Sequence, residues 1–249
     1  LVGVRGVGVA GGAVGWVRIV ADLPANRPAL ARVLGDLVGV RSDLIVRGGD
    51  LVLGGPHPVE VVDRVRELGW TSVLGNTDAA LGDVRPQPEE ARGFVAQPAE
   101  RTREMLGPER IAWLTSLPTE WRGEGMVIVH AVPGDCWGIV PHDASDDTLR
   151  ETYGQLGVPV AVYGHIHHAY VRRLDGLTVV NSGSLSLSLD GDVRATYVLI
   201  ADGNAEHRRI ANDVERVAAD MLALDYPHAT TYAEWLRTRC LAHPTIPPK

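Results

Sequence analysis

Cysteine is scarce in this chain. Cys136 and Cys240 are its two cysteines, far apart in 249 residues, and no CxxC pair occurs. That excludes a disulfide framework and suits a reducing compartment, so the expected location is the cytoplasm. No apolar stretch is long enough for a transmembrane helix. No basic block offsets the net charge of -7, which argues against nucleic acid or a membrane surface as partner. An acidic chain can still handle anions where metal ions carry the local positive charge. No internal repeat is visible. Residues 1–15 have no initiator methionine and no charged start, and glycine interrupts their apolar run, so they do not read as a signal peptide. They read as an extension ahead of the core.

What is present is an ordinary globular composition, 45% hydrophobic and 22% charged, with length for one large α/β domain or two small ones. The extension holds a glycine pattern, Gly6-Val7-Gly8-Val9-Ala10-Gly11. A dinucleotide fingerprint needs a strand before it and a helix after it. Five residues precede this one and Gly12-Ala13-Val14-Gly15 is a poor helix start, so a nicotinamide reading is set aside.

Apolar, β-branched residues predict a strand over 16–21. A helical pattern opened by Pro28 follows, with Ala29, Leu30, Val33, Leu34, Leu37 and Val38 on one face and Asn26 as its cap. Further strands are expected over 44–46 and 72–74. Between them lies a helix from Pro58 that carries Val59, Val62, Val65 and Leu68 and stops at Gly69. This β-α-β-α-β order is the parallel-sheet pattern. Residues 82–122 are rich in Pro and Glu and read as a strandless helical insertion, with helices about 100–106 and 109–117. Strands are expected again at 126–129 and 160–163, with a helix capped by Ser145 between them. Short strands and tight turns follow at 169–174, 177–180 and 195–200, with Asp175-Gly176 as a hairpin turn. The expected organisation is a core domain over 16–210, then a helical tail over 211–249 packed on it, frayed from Pro244.

Several of the expected strands end in residues of one chemical kind: Gly49-Asp50, Gly75-Asn76-Thr77-Asp78, Val129-His130 and Gly164-His165-Ile166-His167. Ala21-Asp22-Leu23-Pro24 stands before them. Taken singly, Asp50 reads equally as a turn or cap residue, Asn76 as a turn residue and His130 as a satisfied core histidine. The two histidines one residue apart point to the same side in extended geometry, and imidazole is the commonest neutral metal ligand. Side chains at the carboxyl ends of neighbouring strands converge, and core packing does not produce such a set. Oxygen and imidazole donors without thiolate suit Mn, Fe, Zn, Ni or Co. A carboxylate shared by two ions makes a two-metal phosphoester site, which holds a hydroxide for in-line attack.

These motifs resemble the calcineurin-like metallophosphoesterases, whose pattern is D-x-H, G-D, G-N-H-D/E, a histidine after a strand, and G-H-x-H. The resemblance covers about residues 16–210. Gly54-Gly55-Pro56-His57-Pro58-Val59-Glu60 and Val180-Asn181-Ser182-Gly183-Ser184 look like the small bacterial branch related to diadenosine tetraphosphatases. The resemblance implies a four-layer α/β/β/α sandwich of two mixed sheets and one or two divalent metal ions. It implies that Asp50 bridges the metals, that Asn76, His130 and His165 complete one site, and that Asp22 and His167 serve the other. Asp50, Asn76, Asp78 and His165 are the expected catalytic set, with Asp78 orienting a neighbour or a water. The implied activity is hydrolysis of a phosphodiester or nucleotide-type phosphate, with a small phosphorylated molecule as partner; the oligomeric state is left open.

Two positions depart from the pattern. Pro24 stands where the family has a metal-binding histidine, and Thr77 where many relatives have a histidine that protonates the leaving group. His57 and His168 are the candidates to compensate. Because of Pro24, a relative that binds metal or a phosphate ligand without turnover is the alternative, and a non-catalytic interaction domain is a third reading.

Overall fold

The computed structural model describes residues 16–38, 44–82 and 89–239. The expected extension over 1–15 with its glycine pattern, the frayed end over 244–249, and Cys240 lie outside these residues.

Ten strands form two mixed five-stranded sheets. The first has the order β10(Asn204–Ile210), β9(Ala195–Ala201), β1(Val17–Val20), β2(Leu44–Arg47), β3(Thr71–Ser72). Its β1–β2 and β2–β3 pairs are parallel, and its β1–β9 and β9–β10 pairs antiparallel. The second has the order β4(Glu120–Gly123), β5(Met126–Val129), β6(Val160–Tyr163), β8(Leu177–Asn181), β7(Tyr170–Leu174). Here β5–β6 and β6–β8 are parallel, flanked by two antiparallel edges.

Strand side chains alternate faces, and this alternation builds the layers. Val17, Ile19, Val46, Val198 and Ile200 meet Met126, Ile128, Val160, Val162 and Val180 between the sheets. The residues between them face outward. Val20, Tyr197 and Leu199 pack under α1(Arg27–Val38) and α2(Pro58–Leu68), through Leu30, Val33, Val61, Val62 and Val65. Val127, Val129, Ala161, Tyr163 and Val179 pack under Leu149 and Tyr153 of α5(Asp146–Tyr153). The result is helices, sheet, sheet, helices, as expected. Each fully buried Val or Ile contributes about 1.5–3 kcal/mol.

Local signals act as their chemistry dictates. Asn26 Oδ1 accepts the Ala29 N–H at 2.9 Å, and Ser145 Oγ accepts the Thr148 N–H at 3.1 Å. Gly69 ends α2 in left-handed backbone, φ 63.

The expected strandless stretch over 82–122 is corrected in two ways. Its end forms the edge strand β4, hairpinned to β5 through Glu124 and Gly125, both with positive φ (51 and 73). That is the backbone a tight two-residue turn requires. Both expected helices are present within α4(Glu89–Thr115), parted at Gly107 (φ 73, ψ 166), but the first begins at Glu89 rather than about 100. β10 is a second strand absent from the sequence reading. Its residues, Asn-Ala-Glu-His-Arg-Arg-Ile, carry the charge that guards an edge rather than core alternation.

Past β10 the expected helical tail consists of two helices, α6(Val214–Leu222) and α7(Ala229–Thr238). Asp213 caps α6 by accepting the Arg216 N–H at 3.2 Å. A four-residue helix, α3(Asn76–Ala79), follows β3. Among the described residues, no helix is long and apolar enough to cross a membrane.

Candidate metal centre

The candidate residues gather at the carboxyl ends of the central strands, on loops laced to one another. Asp22 N–H donates to the Gly49 carbonyl, Leu23 N–H to Asp50 and Ala25 N–H to Leu51, at 3.2, 2.9 and 2.8 Å. Across the two sheets, Leu185 N–H donates to the Ala21 carbonyl at 3.1 Å; within the second sheet, Gly164 N–H donates to His130 at 2.9 Å. Asp22, Asp50, His165 and His167 all have left-handed backbone, with φ of 54, 55, 65 and 56. That conformation costs roughly 1–2 kcal/mol per non-glycine residue, and such cost concentrates where side chains must be aimed. Gly75 is required for a different reason: a Cβ there would overlap the backbone nitrogen and Oδ1 of Asp50.

Two donor sets result, each with ligand atoms within 4.8 Å of one another: Asp50, His130 and His165, and Asp22, Asp50 and His167. Asp50 belongs to both. Asn76 joins the first set, its Oδ1 lying 2.9 Å from His130 Nε2 and 2.9 Å from His165 Nδ1.

Backbone carbonyls orient two of the rings. His130 Nδ1 lies 2.9 Å from the Gly48 carbonyl oxygen, and His167 Nδ1 lies 2.8 Å from that of Leu187. A carbonyl only accepts, so each Nδ1 carries the proton and each Nε2 turns inward as the ligand atom, the usual support of a metal-binding histidine. In neutral His130 the Nε2 lone pair then faces Asn76 Oδ1 and, at 3.4 Å, Asp50 Oδ1. Neither the Asn76 oxygen nor the ionised Asp50 carboxylate has a proton to offer, and a divalent cation is the partner such a convergence fits. The Thr77 hydroxyl is buried and without a partner beside it.

The electrostatics agree. Burial, with Asp22 and Asp78 nearby, pushes the Asp50 carboxyl up to about 6 despite the pull of His130. Burial opposes ionisation of Asp22 too, but the charge and hydrogen bond of His167 outweigh it and hold its carboxyl below the usual range. Burial likewise opposes the charge on His167, yet Asp22, with His167 Nε2 3.2 Å from its Oδ1, raises it. A proton on His167 and a divalent ion are thus alternative sources of positive charge for Asp22. Burial beside His130 pushes His165 down to about 3, so it stays a neutral ligand.

Other candidates fall elsewhere. Asp78 does not join the cluster but lies behind it. Its carboxylate accepts from Arg47 Nη1 at 3.0 Å, from the Leu51 N–H at 2.9 Å and from the Gly75 N–H at 3.2 Å. It therefore positions the Asp50 and Asn76 loops. His57 does not replace the missing ligand at Pro24, since its Nε2 lies 3.3 Å from Asp220 Oδ2 on α6. His168 stacks on His142, ring centroids 3.7 Å apart. Thr77 contributes its N–H, donated to Asp50 Oδ1 at 3.0 Å. Ser184 was named from the sequence only within a motif and given no role; its hydroxyl donates to the Asp22 carbonyl at 2.9 Å. Arg47 was also missed, because an arginine at a strand end reads as surface while here it is 1% exposed.

Residues 17–204 match the family model of the calcineurin-like phosphoesterase superfamily domain. An uncharacterized protein of Methanocaldococcus jannaschii is 26% identical over 247 residues, covering 90% of this chain and 96% of the relative. A metallophosphoesterase from Sphaerobacter thermophilus has 25% identity and a TM-score of 0.74, covering 91% of this chain and 100% of its own. A hypothetical protein from Pyrococcus horikoshii superposes with a TM-score of 0.76 at 17% identity, covering 92% of this chain and 98% of its own.

Proposed function

Because the chain belongs to the calcineurin-like phosphoesterase superfamily, we propose that it is a metal-dependent phosphoric ester hydrolase acting on a small phosphodiester or nucleotide-type phosphate. The observation that carries this reading is the pair of donor sets sharing Asp50. In this reading Asp50, Asn76, His130 and His165 hold one divalent ion firmly. Asp22, Asp50 and His167 hold a second one weakly, for want of a ligand at Pro24. Divalent ions so held acidify water and neutralise phosphoryl oxygens.

The chain's own residues do the rest. The Gly48 and Leu187 carbonyls keep the His130 and His167 rings in one tautomer and orientation. Asp78 fixes the loops of Asp50 and Asn76 through the Leu51 and Gly75 N–H groups. Threonine is no general acid near neutral pH, so Thr77 leaves the departing group without a proton. The reading therefore favours substrates whose leaving group is weakly basic.

Pro24 supports a second reading, a relative that binds metal or a phosphate ligand without turnover. The two diverge in one assay. Supplied with Mn²⁺ or Ni²⁺, the protein is expected to hydrolyse a nitrophenyl phosphodiester, and chelation to stop it. No turnover above the blank across several divalent metals would leave the binding reading in front.

A further inference from the structure

The C-terminal helices lie beyond the 17–204 family match, yet they press on the two segments that aim the three-donor set. One is the loop after Asp50. The Tyr226 hydroxyl accepts the Gly54 N–H at 3.1 Å and also meets Thr102 Oγ1 of α4 at 3.1 Å. The Tyr232 ring packs on Gly54, where an added Cβ would come within 3.0 Å of it. At the end of this loop His57 pairs with Asp220.

The other is the segment over 184–189. Ser184 Oγ donates to the Asp22 carbonyl and accepts the Leu187 N–H at 3.0 Å, and the Leu187 carbonyl orients His167. From behind, Leu187 packs on Val217 of α6 and Leu236 of α7. The Ser186 carbonyl accepts from Asn212 Nδ2 at 3.1 Å and from Arg239 Nη1 at 2.9 Å.

These contacts land behind Asp50, Asp22 and His167, the set that Pro24 leaves one ligand short. With fewer ligands, affinity depends more on how far the remaining donors are held in place before the ion arrives, and groups behind the ligands set that. We infer that α6, α7 and the link between them are a positioning element for the second metal position, with Tyr226 of the link and Leu236 of α7 as its positioning residues. The inference rests on the metal-dependent reading above.

Calorimetric Mn²⁺ titration of Tyr226→Phe and Leu236→Ala tests it, with Glu234→Ala, exposed on α7, as the control. In the unaltered protein one firm and one weaker binding event are expected. Tyr226→Phe and Leu236→Ala should weaken the second about tenfold or more and leave the first within about threefold. Hydrogen exchange over 51–57 should rise in Tyr226→Phe and over 184–189 in Leu236→Ala, neither changing in the control. Should Leu236→Ala fail to fold, Tyr226→Phe carries the test alone, since it removes one oxygen atom. Unchanged binding at both positions, or equal loss at both, overturns the inference and leaves the metal-dependent reading standing. No binding by the unaltered protein overturns both.

Discussion

Asp50→Asn is expected to lower turnover by more than about 10²-fold and at the same time to raise the melting temperature of the metal-free protein. The loss follows from Asp50's place in both donor sets: removing its charge weakens both metal positions, and electrostatic groups at reacting centres are each worth on the order of 10²–10³ in rate. The gain follows from burial. Asp50 is 6% exposed, and burial beside Asp22 and Asp78 moves its carboxyl from 3.8 to about 6. A raised acid holds its proton longer in the folded state. Its contribution is therefore full below its unfolded value and is lost as pH rises through about 6. At neutral pH the ionised carboxylate costs on the order of 1–3 kcal/mol, and Asn removes that cost while keeping an oxygen for the Thr77 N–H. At roughly 2–4 °C per kcal/mol for a domain of this size, the rise is several degrees at pH 7 and vanishes near pH 4. Thermal melts of both proteins in chelator across pH 4–8 measure it. A melting temperature that falls on substitution at pH 7 would contradict the view of Asp50 as a carboxylate held for cations.

Pro24→His is the second large effect, and its direction is opposite. Pro24 is two residues past Asp22 on a loop already fixed to its neighbour by the Leu23 and Ala25 N–H bonds. An imidazole there adds a donor to the set that has three. The second ion should bind at least about tenfold tighter, and activity with limiting metal should rise by a similar factor, since in the proposed function a second ion would add to the neutralisation of phosphoryl charge. The metal-free variant should be slightly less stable, by about 0.4–1 kcal/mol, because the unfolded chain loses a proline restraint; bound metal restores that by mass action. Binding curves that superimpose on those of the unaltered protein would mean that Pro24 is not where the second position is short.

Much of the fold was legible from the sequence because its central strands are apolar and buried. The expected ranges 126–129 and 160–163 coincide with β5 and β6, whose residues are all buried. The unread strands are the ones that do not need apolar residues. β4 and β10 are edges held by backbone pairing and tight turns, and Asp202-Gly203 before β10 was a hairpin signal that could have been used. The site was legible as residue types at strand ends. Its outer support was not: the Gly48 and Leu187 carbonyls carry no sequence signature, Arg47 looks like an ordinary polar residue, and Ser184 drew notice only within a motif. His57 was one of two candidates to compensate for Pro24. Its motif position suggested a ligand, but the loop after Asp50 turns it toward α6, where Asp220 takes it. Asp78, expected to orient a neighbour or a water, stands outside the two donor sets and holds the neighbouring loops through the Leu51 and Gly75 N–H groups.

The most direct test of the account is metal content. The unaltered protein, loaded with Mn²⁺ and passed through a desalting column, is expected to keep one equivalent by elemental analysis. A second equivalent should appear only when free Mn²⁺ is maintained, and His130→Ala should lose the retained one. Two equivalents retained through the column, or none, would contradict a firm four-ligand position beside a depleted three-ligand one.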